Sequence, residues 1–184
     1  MLEYTLKRYE AECGVEDFVS SCVDVPKFVE FCKKCPRYER NWMCPPFDFD
    51  PMDVWKNYKR VKLAGVRLDF LPRESSLSSD DVASQACSAI EFEKGRLLEQ
   101  QWEEERNAKG SVALSAGTCR LCGTCAKITG EPCRKPELAR HSIESMGGDG
   151  GFAAKKYLGL DLLWIKDGVV PEYLSLVGAL LTKE

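Results

Sequence analysis

The sequence predicts an α+β domain: a mixed sheet of about four strands with flanking helices and a cysteine-rich metal-binding lobe. Two observations give the layers. Segments with helical and with alternating apolar periodicity both occur, and they follow no regular strand–helix alternation. A third gives the lobe, because most of the 10 cysteines crowd into two blocks, residues 32–44 and 119–133. With 184 residues and no internal repeat, the chain 1–184 reads as a single domain able to close one core.

The elements follow in order. The opening "MLEYTLKRYEAECG" has charge but no apolar run behind it, which argues against a secretory signal. In "DVPKFVEFCKKC", Asp24 is placed to cap a helix whose apolar positions are Val25, Phe28, Val29 and Cys32; Cys35 then falls just beyond its end. "DPMDVWKNY" offers Asp50 as cap and Pro51 at the first helical position. "RVKLAGVRLDFL" alternates as a strand, but Val61 and Leu63 have one parity and Val66, Leu68 and Phe70 the other. A bulge at Ala64-Gly65 would reconcile them on one face.

"LPRESSLSSDD" reads as a loop ending in a cap, after which Val82, Ala86, Ile90, Leu97 and Trp102 mark a long amphipathic helix reaching Lys109-Gly110. "SVALSAG" is a short strand leading into the second cysteine block. "PELARHSIESMGG" starts with proline and ends with glycines, as a helix would, and "GGDGG" reads as its flexible exit rather than a phosphate cradle. "LDLLWI" and "EYLSLVGALL" look like two strands joined by an Asp167-Gly168 turn, although Pro171 could also start a helix over the second.

Composition narrows function. A net charge of −3 gives bulk electrostatics nothing to offer nucleic acid. "YLSLVGALL" falls well short of the roughly 20 apolar residues that span a bilayer, so no membrane segment is expected. The expected compartment is the reducing cytoplasm, where clustered cysteines act as metal ligands or catalytic thiols rather than as disulfides. A single histidine, His141, leaves little scope for mixed Cys/His zinc sites. Both cysteine blocks are locally basic (Lys33, Lys34 and Arg37 near one, Arg120, Lys127, Arg134 and Lys135 in the other), as would offset anionic thiolate centres.

Cys119-x2-Cys122-x2-Cys125 places a thiolate at every third residue of a turn-rich loop, a pattern that can wrap a compact inorganic body while backbone N–H groups point inward. Cys133 is the natural fourth ligand, held between Pro132 and Pro136, although ligand exchange with the other block stays open. Gly123 and Thr124 are small enough for close backbone approach, and Leu121 can shield the site. A 4Fe–4S cluster fits this donor set, and zinc is the competing tenant. The other block, Cys32-x2-Cys35-x8-Cys44 before Pro45-Pro46, looks like one side of a second metal site. Its fourth sulfur could be Cys22, Cys13 or Cys133, or an iron could stay open to substrate. Cys87 and Cys13 read as buried small hydrophobes, His141 as a helix-surface or capping residue, and Tyr38, Trp42 and Phe47 as packing that keeps water from the first block.

Together, "CKKCPRYERNWMCPPF" and "CRLCGTCAKITGEPCRKP", with "ELARHSIESMG" and "EYLSLVGALL", resemble the motif blocks of an uncharacterised prokaryotic family of predicted metal-binding proteins, domain of unknown function 2284. The resemblance implies metal binding at Cys32, Cys35, Cys44, Cys119, Cys122, Cys125 and Cys133, and it is compatible with anaerobic metabolism. It supplies no reaction. From the residues themselves, three functions are carried forward. The first is an electron carrier or small redox subunit working with a redox partner protein. The second is a zinc-stabilised interaction module. The third, an enzyme with an open-site cluster, ranks last because no nucleophile–base pair, nucleotide loop or paired carboxylates occur.

Overall fold

The computed structural model describes residues 2–71 and 78–184. In chain order they form β1 (Tyr4–Gly14), α1 (Val15–Cys22), α2 (Val25–Lys33), α3 (Pro51–Lys56), β2 (Arg60–Phe70), α4 (Ser79–Asn107) and β3 (Val112–Leu114). Then come α5 (Gly150–Ala153), running on as a π-turn over Ala154–Leu158, and β4 (Tyr173–Thr182). The α+β architecture is as expected. The sheet, ordered β1-β2-β4-β3, is antiparallel at every pairing rather than mixed.

Local capping accounts for the helices. The Asp24 side chain accepts from Lys27 N at the start of α2, and Asp50 accepts from Met52 N at the start of α3. Ser78 Oγ accepts from Asp81 N, 3.2 Å away, and opens α4. The segment read as a loop ahead of that cap falls largely on residues 72–77, outside the described residues.

Five expectations change. No element was read in the opening segment, yet it forms the edge strand β1, whose Lys7, Arg8, Glu10 and Glu12 are exposed. Charge on an edge strand disguises its alternation and discourages further pairing. There is no bulge at Ala64-Gly65, since β2 pairs residue for residue along its length with β1. Its two parities instead serve two cores. Val61 and Leu63 join Phe18, Trp55 and Ile143 on one face, while Val66 and Leu68 join Leu97 of α4 on the other.

"LDLLWI" is not a strand. Leu158 and Leu160 lie against Gly65, where an added Cβ would come within 2.8 Å and 3.3 Å of them, so the chain crosses the face of the sheet instead of extending an edge. Only the tight turn survives: Asp167 and Gly168 both have positive φ between a Lys166–Val169 bridge. "EYLSLVGALL" contains the interior strand β4, buried on both faces.

"PELARHSIESMGG" is not a helix either. Ser142 and Ser145 take each other's backbone N–H groups on their hydroxyls, at 3.0 Å and 3.1 Å, competing with the helical ladder. Bridges from Ser142 to Ser115 and from Gly148 to Val23 hold the segment as turns. "GGDGG" is accordingly no flexible exit. Asp149 caps α5 by accepting from Phe152 N at 2.8 Å, and Gly147 packs directly on Val25.

The result is a sheet with helices on both faces. Trp55 and Phe18, both fully buried, stack 5.3 Å apart, and each contributes roughly 1.5–3 kcal/mol by burial. Trp55 Nε1 also donates to Met146 O at 2.9 Å, which fixes the 142–148 turns to α3. On the far face, the buried Gln101 amide donates to Ala179 O at 3.0 Å and Leu114 O at 3.2 Å, tying α4 to β4 and β3. Both cysteine blocks hang from this frame: one runs out of α2, the other follows β3. Among the described residues no helix is long and apolar enough to cross a membrane.

Candidate metal centre

The second block begins where β3 ends and contains no regular element except a 3-10 turn over Ala126–Thr129, closed by Gly130 at φ 72°. Cys119, Cys122, Cys125 and Cys133 all line one cavity, with Leu121 and, from the first block, Trp42 and Met43 completing its walls. Four side chains brace the loop through its backbone carbonyls. Asn41 Nδ2 donates to Cys119 O at 3.0 Å and Trp42 Nε1 to Glu131 O at 3.0 Å. Lys135 Nζ donates to Leu121 O at 3.0 Å and Arg134 Nη1 to Thr124 O at 3.3 Å. From the other side, Trp102 Nε1 of α4 holds Leu138 O at 3.0 Å.

The first block leaves α2 through Cys32, continues through the exposed Cys35, and reaches Cys44. It abuts the second block directly. Cys44 Sγ lies 3.3 Å from Thr118 Oγ1, and Lys127 Nζ donates to Cys44 O at 3.3 Å and Asn41 O at 3.4 Å. The short Lys94 Nζ contact to Thr118 O brings a largely enclosed cation from α4 to the same junction.

Electrostatics at the thiols follows from this packing. Burial pushes the Cys32 thiol up to about 11, with Cys44, Cys35 and Glu144 adding to the effect. Burial also raises Cys44 against the Thr118 hydroxyl bond, which favours the thiolate, and Lys127 and Arg37 favour it as well. Cys119 is raised by burial while the Leu121 amide, an N–H directed at its sulfur, favours its thiolate. Thiols held this way give up their protons to a bound cation. Desolvation lowers the Lys94 pKa, as Glu91 pulls the other way.

The remaining candidates lie elsewhere. Cys22 ends α1 inside the main core, 3% exposed, with Sγ 3.4 Å from Ser21 Oγ; its ionisable neighbours are Lys156, Asp149 and Asp17, not the first-block thiols. Cys13 on β1 is half-buried against that core, close to Tyr157 and Asp17. Cys87, expected to be buried, is exposed on α4. His141 is on no helix. It sits half-buried with its ring edge-on to Phe47, centroids 4.8 Å apart, and Nδ1 3.3 Å from Met43 O. Sequence reasoning missed Asn41 and Lys94, whose partners Cys119 and Thr118 are remote in the chain.

Soft thiolate donors lining one cavity, with an amide directed at one sulfur and basic side chains around the rim, form a donor set that fits a sulfur-ligated metal or cluster. Among the described residues, no group of three or more His, Cys, Asp or Glu side chains is placed to hold a metal ion. A family model described as "Predicted metal-binding protein (DUF2284)" matches residues 19–182. No curated protein and no solved structure matches the chain.

Proposed function

This chain belongs to that family of predicted metal-binding proteins, and on that premise we propose that it is an iron–sulfur protein serving as an electron carrier or small redox subunit. Cys119, Cys122, Cys125 and Cys133 would hold a 4Fe–4S cluster, and Cys32, Cys35 and Cys44 would contribute to a second. When bound, such clusters supply reversible one-electron transfer. The observation that carries the reading is that all four second-block cysteines, separated by as much as fourteen positions, line one cavity. Zinc calls for four donors about 2.3 Å from one centre. Structural zinc sites more often pair two separate Cys-x2-Cys knuckles, whereas three cysteines on one three-residue rhythm suit a cluster.

The protein's own part is to seat, shield and tune. Trp42, Met43 and Leu121 wall the cavity against water, and the Leu121 amide stabilises negative charge on the Cys119 sulfur. The 3.3 Å contact between Cys44 Sγ and Thr118 Oγ1 sets the two blocks side by side, as electron passage between two bound clusters would need. The exposed Cys35, flanked by exposed Lys33 and Lys34, makes the first block the face that meets a partner, and its charge favours an acidic redox protein.

Anaerobic purification followed by iron, acid-labile sulfide and zinc analysis tests the reading. We expect a brown protein that bleaches with dithionite and gives a reduced-state EPR signal. A colourless protein with stoichiometric zinc would refute it in favour of the structural zinc module.

A further inference from the structure

We propose that the cavity between the cysteine blocks and β3 binds an uncharged, flat organic molecule that carries a hydroxyl group. The inference goes beyond the redox reading and does not depend on which metal the cysteines hold.

The cavity measures about 380 Å³, within the roughly 300–1,000 Å³ of small-molecule sites. Several parts of the chain build it. Met43 comes from the first block and Phe49 from the segment after it, Val54 from α3, Leu114 from β3, and Met146 from the 142–148 turns. These walls are apolar. Phe49 stays 39% exposed, although Phe47 stacks on it at 4.8 Å and His141 meets it edge-on at 5.6 Å. An aromatic ring held from one side and left open at a cavity is a platform for another flat ring.

Two neutral polar groups interrupt the apolar lining. Tyr58 Oη makes no hydrogen bond among the described residues. His141 commits Nδ1 to Met43 O at 3.3 Å, which makes that nitrogen the N–H donor and leaves Nε2 as an acceptor. Burial raises the Tyr58 pKa, with Glu105 adding to the effect, and lowers that of His141, so both stay uncharged at neutral pH. A ligand hydroxyl can accept from the first and donate to the second. A charged ligand finds no counterpart. Arg140 also lines the cavity, but Glu105 meets its charge at 2.6 Å and 2.9 Å, and its Nη1 donates to Glu137 O at 2.8 Å and to Ala139 O at 2.9 Å.

Met43 and Ala139 line this cavity and the cysteine cavity alike. A molecule bound here would lie one layer of side chains from the metal centre, as its substrate or effector.

The test titrates 2-naphthol into the full chain, purified anaerobically with its native metal, and follows naphthol fluorescence and the heat of binding. Naphthalene, which lacks the hydroxyl, and 2-naphthoate, which is charged, are the comparisons. We expect saturable one-to-one binding of 2-naphthol, about tenfold tighter than either. Tyr58→Phe should bring 2-naphthol down to the naphthalene level and leave naphthalene unchanged, a pattern that a merely structural role would not give. Val54→Trp fills the cavity and should abolish binding of both, with the circular dichroism of the native fold. Absence of saturable 2-naphthol binding below about 1 mM, equal affinity for naphthalene, or native 2-naphthol affinity in Tyr58→Phe or in folded Val54→Trp overturns the inference. Tightest binding of 2-naphthoate overturns it too, in favour of an anion site at Arg140. Should Val54→Trp fail to fold, Tyr58→Phe decides alone. Iron, sulfide and zinc contents do not enter these outcomes, so the inference and the functional reading fail separately.

Discussion

Asn41→Ala is the most informative single change away from the cysteines. Asn41 is 3% exposed, and its side chain does two jobs: Nδ2 donates to Cys119 O at 3.0 Å and Oδ1 accepts from Met43 N at 2.9 Å. Alanine leaves a carbonyl of one block and an amide of the other without partners. Each orphaned buried group costs about 1–3 kcal/mol, so about 2–6 kcal/mol in all. Water entering beside Trp42 would bring the loss to about 2–4 kcal/mol. Because Cys119 and Met43 both border the cavity, part of that loss should fall on metal affinity, about tenfold for every 1.4 kcal/mol. The assay is anaerobic guanidinium unfolding of metal-loaded and metal-stripped protein, with chelator competition on the loaded form. The loaded form should lose more than the stripped form. Changes within about 0.5 kcal/mol in both forms, with unchanged affinity, would refute the claim that this amide ties the blocks together.

Three further outcomes are expected. Gly147→Ala should destabilise the protein by more than about 2 kcal/mol in thermal unfolding, since Gly147 has φ 83° and a Cβ would come 2.7 Å from the Val25 backbone; Gly123→Ala, with nothing within 4 Å, should be close to silent. Burial lowers the His141 pKa, so protonation favours the unfolded chain. Stability should therefore be full above the unfolded value near 6.5 and decline as the pH falls below it, and His141→Phe should flatten that slope in unfolding curves recorded from pH 7.5 to 5.5. Metal loading should release protons and tighten as pH rises, because the Cys32, Cys44 and Cys119 thiols all titrate above their ordinary value; potentiometric titration of the stripped protein measures it, and proton-neutral loading at pH 7 would contradict it.

What could be read from the sequence was what is local. Caps at Asp24 and Asp50 announce their helices because the side chain reaches only two or three residues ahead. The cysteine rhythm announces a metal loop for the same reason. The braces of that loop could not be read: Asn41 meets Cys119 across 78 residues and Trp42 meets Glu131 across 89. Parity misled at β2 because one strand feeds two cores, and the serines of "HSIES" undid a helix that proline and glycine had framed. At β1 the charge that protects an edge also hid the strand.

Strand β4 lies between β2 and β3, yet it follows both of them in the chain. The β1–β2 ribbon that flanks one set of thiols and the β3 segment that leads to the other therefore become parts of one sheet only when Tyr173–Thr182 pairs with both, so the last of the four strands in the chain is the one that closes the frame.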